Sequence, residues 1–160
     1  PKPIIVNMIV LFAPLLISTR ALYQKTLEIN TSPKSFLDIT KDVQTLVSES
    51  GLDNGICNLF IRHTSASLVI QENYDPSVRQ DFETIFAKLV PEDFPYVHSM
   101  EGKDDMPAHI RSALTSTSET VPIVSGKLSL GTWQGIYLWE HRDRSHNRKL
   151  VVSIMGENGF

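Results

Sequence analysis

Thr120-Val121-Pro122-Ile123-Val124-Ser125-Gly126-Lys127-Leu128-Ser129-Leu130 runs through Gly131 into Thr132-Trp133-Gln134-Gly135-Ile136-Tyr137-Leu138-Trp139-Glu140. After a polar loop from Asp143 to Asn147 comes Arg148-Lys149-Leu150-Val151-Val152-Ser153-Ile154-Met155. These runs are rich in β-branched and aromatic residues, and turn residues such as Ser125-Gly126 separate them. Strands joined by short turns pair antiparallel, because a parallel pair needs a long crossover. The last forty residues are therefore a series of antiparallel strands. Along Thr132–Glu140 the two-residue period puts Thr132, Gln134 and Glu140 on one face and Trp133, Tyr137 and Trp139 on the other. Gln134 and Glu140 then lie roughly 20 Å apart at about 3.3 Å per residue. They meet in one small pocket only if the strand bends or a second subunit contributes.

Working outward, Ala21–Ile29 alternates well enough for a half-buried strand, and Ile56–Ile61 and Ser67–Gln71 add two more around His63-Thr64-Ser65. Three helices fall between strands. The first starts at a Thr40 cap, carries Val43, Leu46 and Val47 inward and stops at Gly51. The clearest opens on Asp75-Pro76, with Val78, Phe82, Ile85, Phe86 and Leu89 on one face, and ends before Pro91. The third follows a polar stretch, with Asp105 as its expected cap, Pro107 in the first turn, and Ile110 and Leu114 pointing inward. The fold class is α+β: a single domain with a large, mainly antiparallel sheet and a few helices. Gly126 and Gly131 lack the lysine and following helix of a phosphate loop.

At 160 residues the chain is the size of one domain, and 41% hydrophobic and 21% charged residues mark an ordinary globular protein. A net charge of -3 argues against a nucleic-acid partner. The basic cluster Arg142, Arg144, Arg148 and Lys149 is short and interrupted by Asp143. Cys57 is the only cysteine, which excludes an intrachain disulfide and favours a cytoplasmic setting; its apolar neighbours read it as a small core residue. Residues 1–20 form an apolar extension ahead of a domain at residues 21–160. The run from Ile4 to Ile17 is too short to span a membrane and is followed by no clean cleavage site, so no membrane association is expected.

Five histidines occur. His141 and His146 read as exposed, at a strand end and in a polar loop. His63, His98 and His109 lie at element boundaries beside acids and hydroxyls, where side chains enter clefts. His98, Asp105 and His109 make a set suited to a divalent metal, Mg²⁺ or Zn²⁺. The simpler alternative is that Asp104 and Asp105 only complement a helix start. Asp75 is open to the same two readings.

Arg62-His63-Thr64-Ser65-Ala66-Ser67-Leu68, Asn73-Tyr74-Asp75-Pro76, Asp105-Met106-Pro107-Ala108-His109-Ile110, Gly131-Thr132-Trp133-Gln134-Gly135-Ile136 and Glu140-His141-Arg142, in that order, resemble the YjbQ family from about Tyr23 to Glu157. The resemblance implies a homotrimer with polar motif residues near subunit boundaries. It also implies a weak thiamine-phosphate synthase activity, a transferase joining a pyrimidine diphosphate to a thiazole phosphate. On this reading His63, His109 and Glu140 are catalytic, and Thr64, Asn73, Asp75, Thr132, Gln134 and Arg148 bind a small phosphorylated substrate. Metal-assisted hydrolysis and a metal- or ligand-binding module without catalysis are the alternatives.

Overall fold

The computed structural model describes residues 20–158. The apolar stretch 1–19 lies outside them. The elements run β1 (Arg20–Asn30), β2 (Phe36–Asp38), α1 (Thr40–Ser50), β3 (Asn54–Ile61), β4 (Ala66–Glu72), α2 (Pro76–Leu89), α3 (Asp105–Leu114), β5 (Ser118–Val124), β6 (Lys127–Leu128), β7 (Gln134–Glu140) and β8 (Asn147–Glu157). The α+β class and the antiparallel pairing expected from the turns both hold. The strands form two antiparallel sheets, one of five in the order β1-β8-β3-β5-β6 and one of three in the order β2-β7-β4.

Period-two alternation explains why the sheets face each other. Cys57, Leu59 and Ile61 of β3, Val121 and Ile123 of β5, and Leu150, Val152 and Ile154 of β8 are buried in one cluster with Ala66 and Leu68 of β4 and Ile136 and Leu138 of β7. Val43, Leu46 and Val47 of α1 close the same core. At about 25 cal/mol per Å² of apolar surface removed from water, this shared interior is the main source of stability. Gly51 ends α1 in the left-handed conformation, φ 67°. Cys57 belongs to this core, and burial pushes its thiol up to about 11.

Several expectations need correction. Ile39, not Thr40, sits at the cap position of α1; the Thr40 hydroxyl instead accepts from the Ile136 amide at 2.8 Å. β6 and β7 are shorter than read, since β6 stops at Leu128 and Thr132 and Trp133 form a turn before β7. The aromatic stripe is not left open: Tyr137 and Trp139 are buried and only Trp133 is exposed. Phe36 stacks on Trp139 with centroids 4.1 Å apart, and Phe86 of α2 meets it edge-on at 4.8 Å. The Trp139 indole N–H donates to Glu83 at 2.5 Å. Yet α2 buries none of its own residues completely, so Phe82 is a half-buried contact rather than a core residue. The uncovered apolar residues lie elsewhere, with Leu22, Ile56, Phe60, Val124 and Met155 exposed on the five-stranded sheet.

Candidate functional site

The start of α3 organises one end of the molecule. Asp105 is the first residue of the helix rather than its cap; Asp104 holds the cap position and makes no side-chain capping bond. Freed from that duty, the Asp105 carboxylate turns inward, 1% exposed. Its Oδ2 is 2.8 Å from His98 Nε2 and 3.2 Å from His109 Nε2, one helical turn onward. The His98 and His109 rings lie 5.6 Å apart, and the three ligand atoms fall within 4.8 Å of one another. Burial opposes ionisation of Asp105, but the His98 hydrogen bond and the Arg142 charge outweigh it and hold the carboxyl below its usual range.

The hydrogen-bond pattern fixes which ring nitrogen of His109 must carry a hydrogen. Its Nδ1 lies 2.9 Å from the Thr64 carbonyl oxygen, which can only accept, so Nδ1 carries the hydrogen. In the neutral ring Nε2 is then a lone pair, aimed at a carboxylate oxygen. Two acceptors face each other there unless a proton or a cation lies between them. A carbonyl behind a ligating imidazole is also the usual outer partner that orients a metal ligand. Two imidazole nitrogens and one carboxylate oxygen suit zinc and its transition-metal neighbours better than magnesium, which prefers oxygen alone.

His63 and Thr64 share a shallow depression with His109, Ser112, Ala113 and Thr117. The Lys149 amide donates to His63 Nε2 at 2.7 Å, leaving Nδ1–H as the donor this ring can offer. Burial, with help from the Arg148 charge, lowers the His63 pKa and keeps the ring neutral.

Glu140 and Arg148 lie close by but are enclosed. Arg148 Nε donates to Glu140 Oε2 at 2.7 Å, its Nη2 also bonds Oε1, and it reaches the Ser65 carbonyl at 3.2 Å. The Thr31 hydroxyl donates to Glu140 Oε2 at 2.7 Å, and the Arg142 amide to Oε1 at 3.0 Å. Burial would raise the Glu140 pKa, but these donors outweigh it and hold the group below its usual range. The basic cluster is thus no surface patch: Arg142 and Arg148 are both buried against acids.

The remaining site residues gather at the opposite end of β7. Glu140 pairs with Ala66 and Gln134 with Glu72, so β7 keeps them apart by its full length. Asn73 Nδ2 donates to the Gln134 carbonyl at 3.3 Å, and the Gly131 amide donates to Gln134 Oε1 at 2.7 Å. Asp75 caps α2, accepting from the Ser77 amide at 2.8 Å. Thr132 is exposed in the turn between them.

Sequence reasoning misplaced His141 and overlooked Arg142. His141 is buried, not exposed, bonded through Nε2 to Ser67 Oγ at 2.8 Å with its ring against Trp139. Burial, then the charges of Arg111 and Arg148, lower its pKa to about 3. His146 is half-buried, its Nδ1 bonded to the Arg144 carbonyl at 2.9 Å. Arg142 ties Asp104 and Asp105 to the exit of β7, and the only sequence signal for it was a charged triplet directly after an apolar strand. Burial opposes ionisation of Asp104, but the Arg142 hydrogen bond, the Asp143 amide and the Arg142 charge bring it down to about 2.

Comparison with known proteins agrees with this architecture. The family model described as UPF0047 protein YjbQ-like matches residues 25–157. A UPF0047 protein of Synechocystis sp. is 57% identical over 136 residues, 84% of this chain and 92% of that protein. The UPF0047 protein YjbQ of Salmonella typhimurium is 43% identical over 84% of this chain and 99% of its own length. Among solved structures, a YbjQ-like protein of unknown function from Sulfolobus solfataricus superposes with a TM-score of 0.81 at 28% identity, covering 87% of this chain and all of that one. A YjbQ/UPF0047 protein from Clostridium acetobutylicum gives 0.73 at 40% identity over 82% of this chain and 98% of its own. With the motifs at both ends of β7 in place and the family model spanning most of the domain, the chain belongs to the YjbQ (UPF0047) family.

Proposed function

We propose that His98, Asp105 and His109 hold a divalent cation, zinc by the donor set, and that the protein uses it to bind a small phosphorylated molecule and assist its hydrolysis. One observation carries this reading: His109 is held by the Thr64 carbonyl so that its Nε2 meets a buried carboxylate that His98 also touches. Three protein ligands leave a position for water or substrate, and a cation there lowers the pKa of its bound water and polarises a phosphoryl oxygen. With Nε2 taken by the Lys149 amide, His63 offers an oxyanion its Nδ1–H rather than a free base. His109 thus serves as a ligand, and Glu140 and Arg148 support the site from behind it.

The thiamine-phosphate synthase activity implied by the resemblance would also need basic side chains to balance pyrophosphate. Arg142 and Arg148 are each committed to buried carboxylates, which favours the hydrolytic reading. The homotrimer implied with it would draw on the open face of the five-stranded sheet, not on the Trp139 stripe. Among the described residues no helix is long and apolar enough to cross a membrane.

The test is calorimetric titration of chelator-treated protein with Zn²⁺ and Mg²⁺, followed by phosphate release from p-nitrophenyl phosphate. One equivalent of Zn²⁺ should bind far more tightly than Mg²⁺. His98→Ala and His109→Ala should each weaken Zn²⁺ by at least about tenfold, roughly 1.4 kcal/mol. Failure of the wild-type protein to bind either ion stoichiometrically would overturn the cation site. Zinc binding without phosphate release would reduce the protein to a binding module.

A further inference from the structure

Arg142 is 4% exposed, and every nitrogen of its guanidinium is engaged. Nε donates to Asp104 Oδ2 at 2.8 Å, Nη2 to the Glu101 carbonyl at 2.9 Å, and Nη1 to Asp105 Oδ1. The grip is reinforced from behind, because the Asp143 amide also donates to Asp104 Oδ2 at 3.0 Å and the Arg142 amide is fastened to Glu140. A planar guanidinium held on all sides is a rigid fork, with far less freedom than a lysine in its place. The Asp105 carboxylate is thereby divided. Oδ1 faces the arginine, and only Oδ2 faces the two imidazoles.

A carboxylate can bind a cation through one oxygen or both, and the choice decides how many coordination positions remain. Bidentate Asp105 would add a second oxygen to the two imidazoles and complete a four-ligand set. Such closed sets mark structural zinc, whereas three ligands with an open position mark reactive sites. We propose that Arg142 sets this choice: by occupying Oδ1 it confines Asp105 to one coordination position through Oδ2 and keeps a fourth position free for an exchangeable ligand. The inference rests on reading His98, Asp105 and His109 as a cation site, and it makes Arg142 a positioning residue that never touches the cation. It also gives a use to the buried Glu140–Arg148 pair, which anchors the Arg142 backbone.

The experiment uses Co²⁺, whose visible absorption reports coordination number, and azide as the exchangeable ligand. In the full chain, wild-type protein loaded with one equivalent of Co²⁺ should show a saturable spectral change on adding azide. Arg142→Gln should still take up Co²⁺, with azide affinity reduced at least tenfold. Arg142→Lys, which keeps the charge without the fork, should fall between. Equal azide affinity in wild type and Arg142→Gln would overturn the proposal, as would a folded Arg142→Gln that takes up no Co²⁺. If Arg142→Gln does not fold, the crystal structure of the wild-type Zn²⁺ form decides: one Asp105 oxygen at bonding distance supports the proposal, and two overturn it. Wild-type protein that takes up no Co²⁺ overturns the cation site itself and this inference with it, an outcome separate from any difference between variants.

Discussion

The two ends of β7 are both polar, and they are built on opposite terms. At the Glu140 end, charged groups are withdrawn from water and satisfied by one another: Glu140 with Arg148 and Thr31, Arg142 with Asp104 and Asp105. At the Gln134 end, Asn73, Asp75, Thr132 and Gln134 are exposed and spend their hydrogen bonds on turns and a helix start. The same residue types therefore do different things. Buried and paired, they create a rigid cradle whose parts are costly to remove singly; exposed, they shape backbone at small energetic cost each. A motif shared by both ends says nothing of which regime applies, and burial decides it.

The largest effect expected from this contrast is at Glu140. Glu140→Ala leaves Arg148 charged, buried and unpaired, and should cost about 3–5 kcal/mol in urea denaturation. A loss under about 1 kcal/mol would erase the distinction between the ends.

Next in size is an acid effect at His141. The unfolded chain protonates this ring near 6.5, the folded chain only near about 3. Above about pH 6.5 both states are neutral and the group carries no penalty. As pH falls from there toward about 3 the unfolded state takes up the extra proton, so stability drops by up to about 1.4 kcal/mol per pH unit from this group. Denaturation at pH 7 and pH 5 should show the drop in wild-type protein and a flatter response in His141→Gln. Parallel pH responses would mean that the ring titrates freely at the enclosed end.

The smallest effects belong to the exposed end. Asp75→Ala should cost about 1 kcal/mol through its lost cap, and Gln134→Ala about 0.5 kcal/mol or less, both read as shifts of the thermal midpoint. Losses of several kcal/mol in either would show that this end, too, is held by more than local turns.

Periodicity carried most of the fold. The strands Ile56–Ile61, Ser67–Gln71 and Arg148–Met155 and the Asp75–Pro76 helix start were legible because each signal is local and complete within a few residues. β2 was missed since Phe36-Leu37-Asp38 is too short to show alternation. The division into two sheets was invisible because a strand's own pattern does not name its partner. The α2 pattern was plain as an amphipathic helix, yet nothing in it said that Tyr137 and Trp139 lay underneath. In the candidate site, the trio His98, Asp105 and His109 was readable from spacing near a helix start. The burial of Glu140, His141 and Arg142 was not, because it depends on partners 109, 74 and 38 residues away in sequence.

The arrangement of α2 has a dynamic consequence. The helix lies over Trp139 and Tyr137 while burying none of its own side chains completely, so its hold is a set of aromatic edges, the Glu83 contacts and one Arg79–Tyr137 bond at 3.2 Å. Nothing in the core between the two sheets depends on it. Regions with few buried apolar contacts open first, at free energies well below global unfolding. α2 is thus the element expected to open first, at the cost of exposing Trp139 and Tyr137 beneath it. Such an excursion would release Glu83 from Arg111, a residue of the same helix α3 that begins at Asp105.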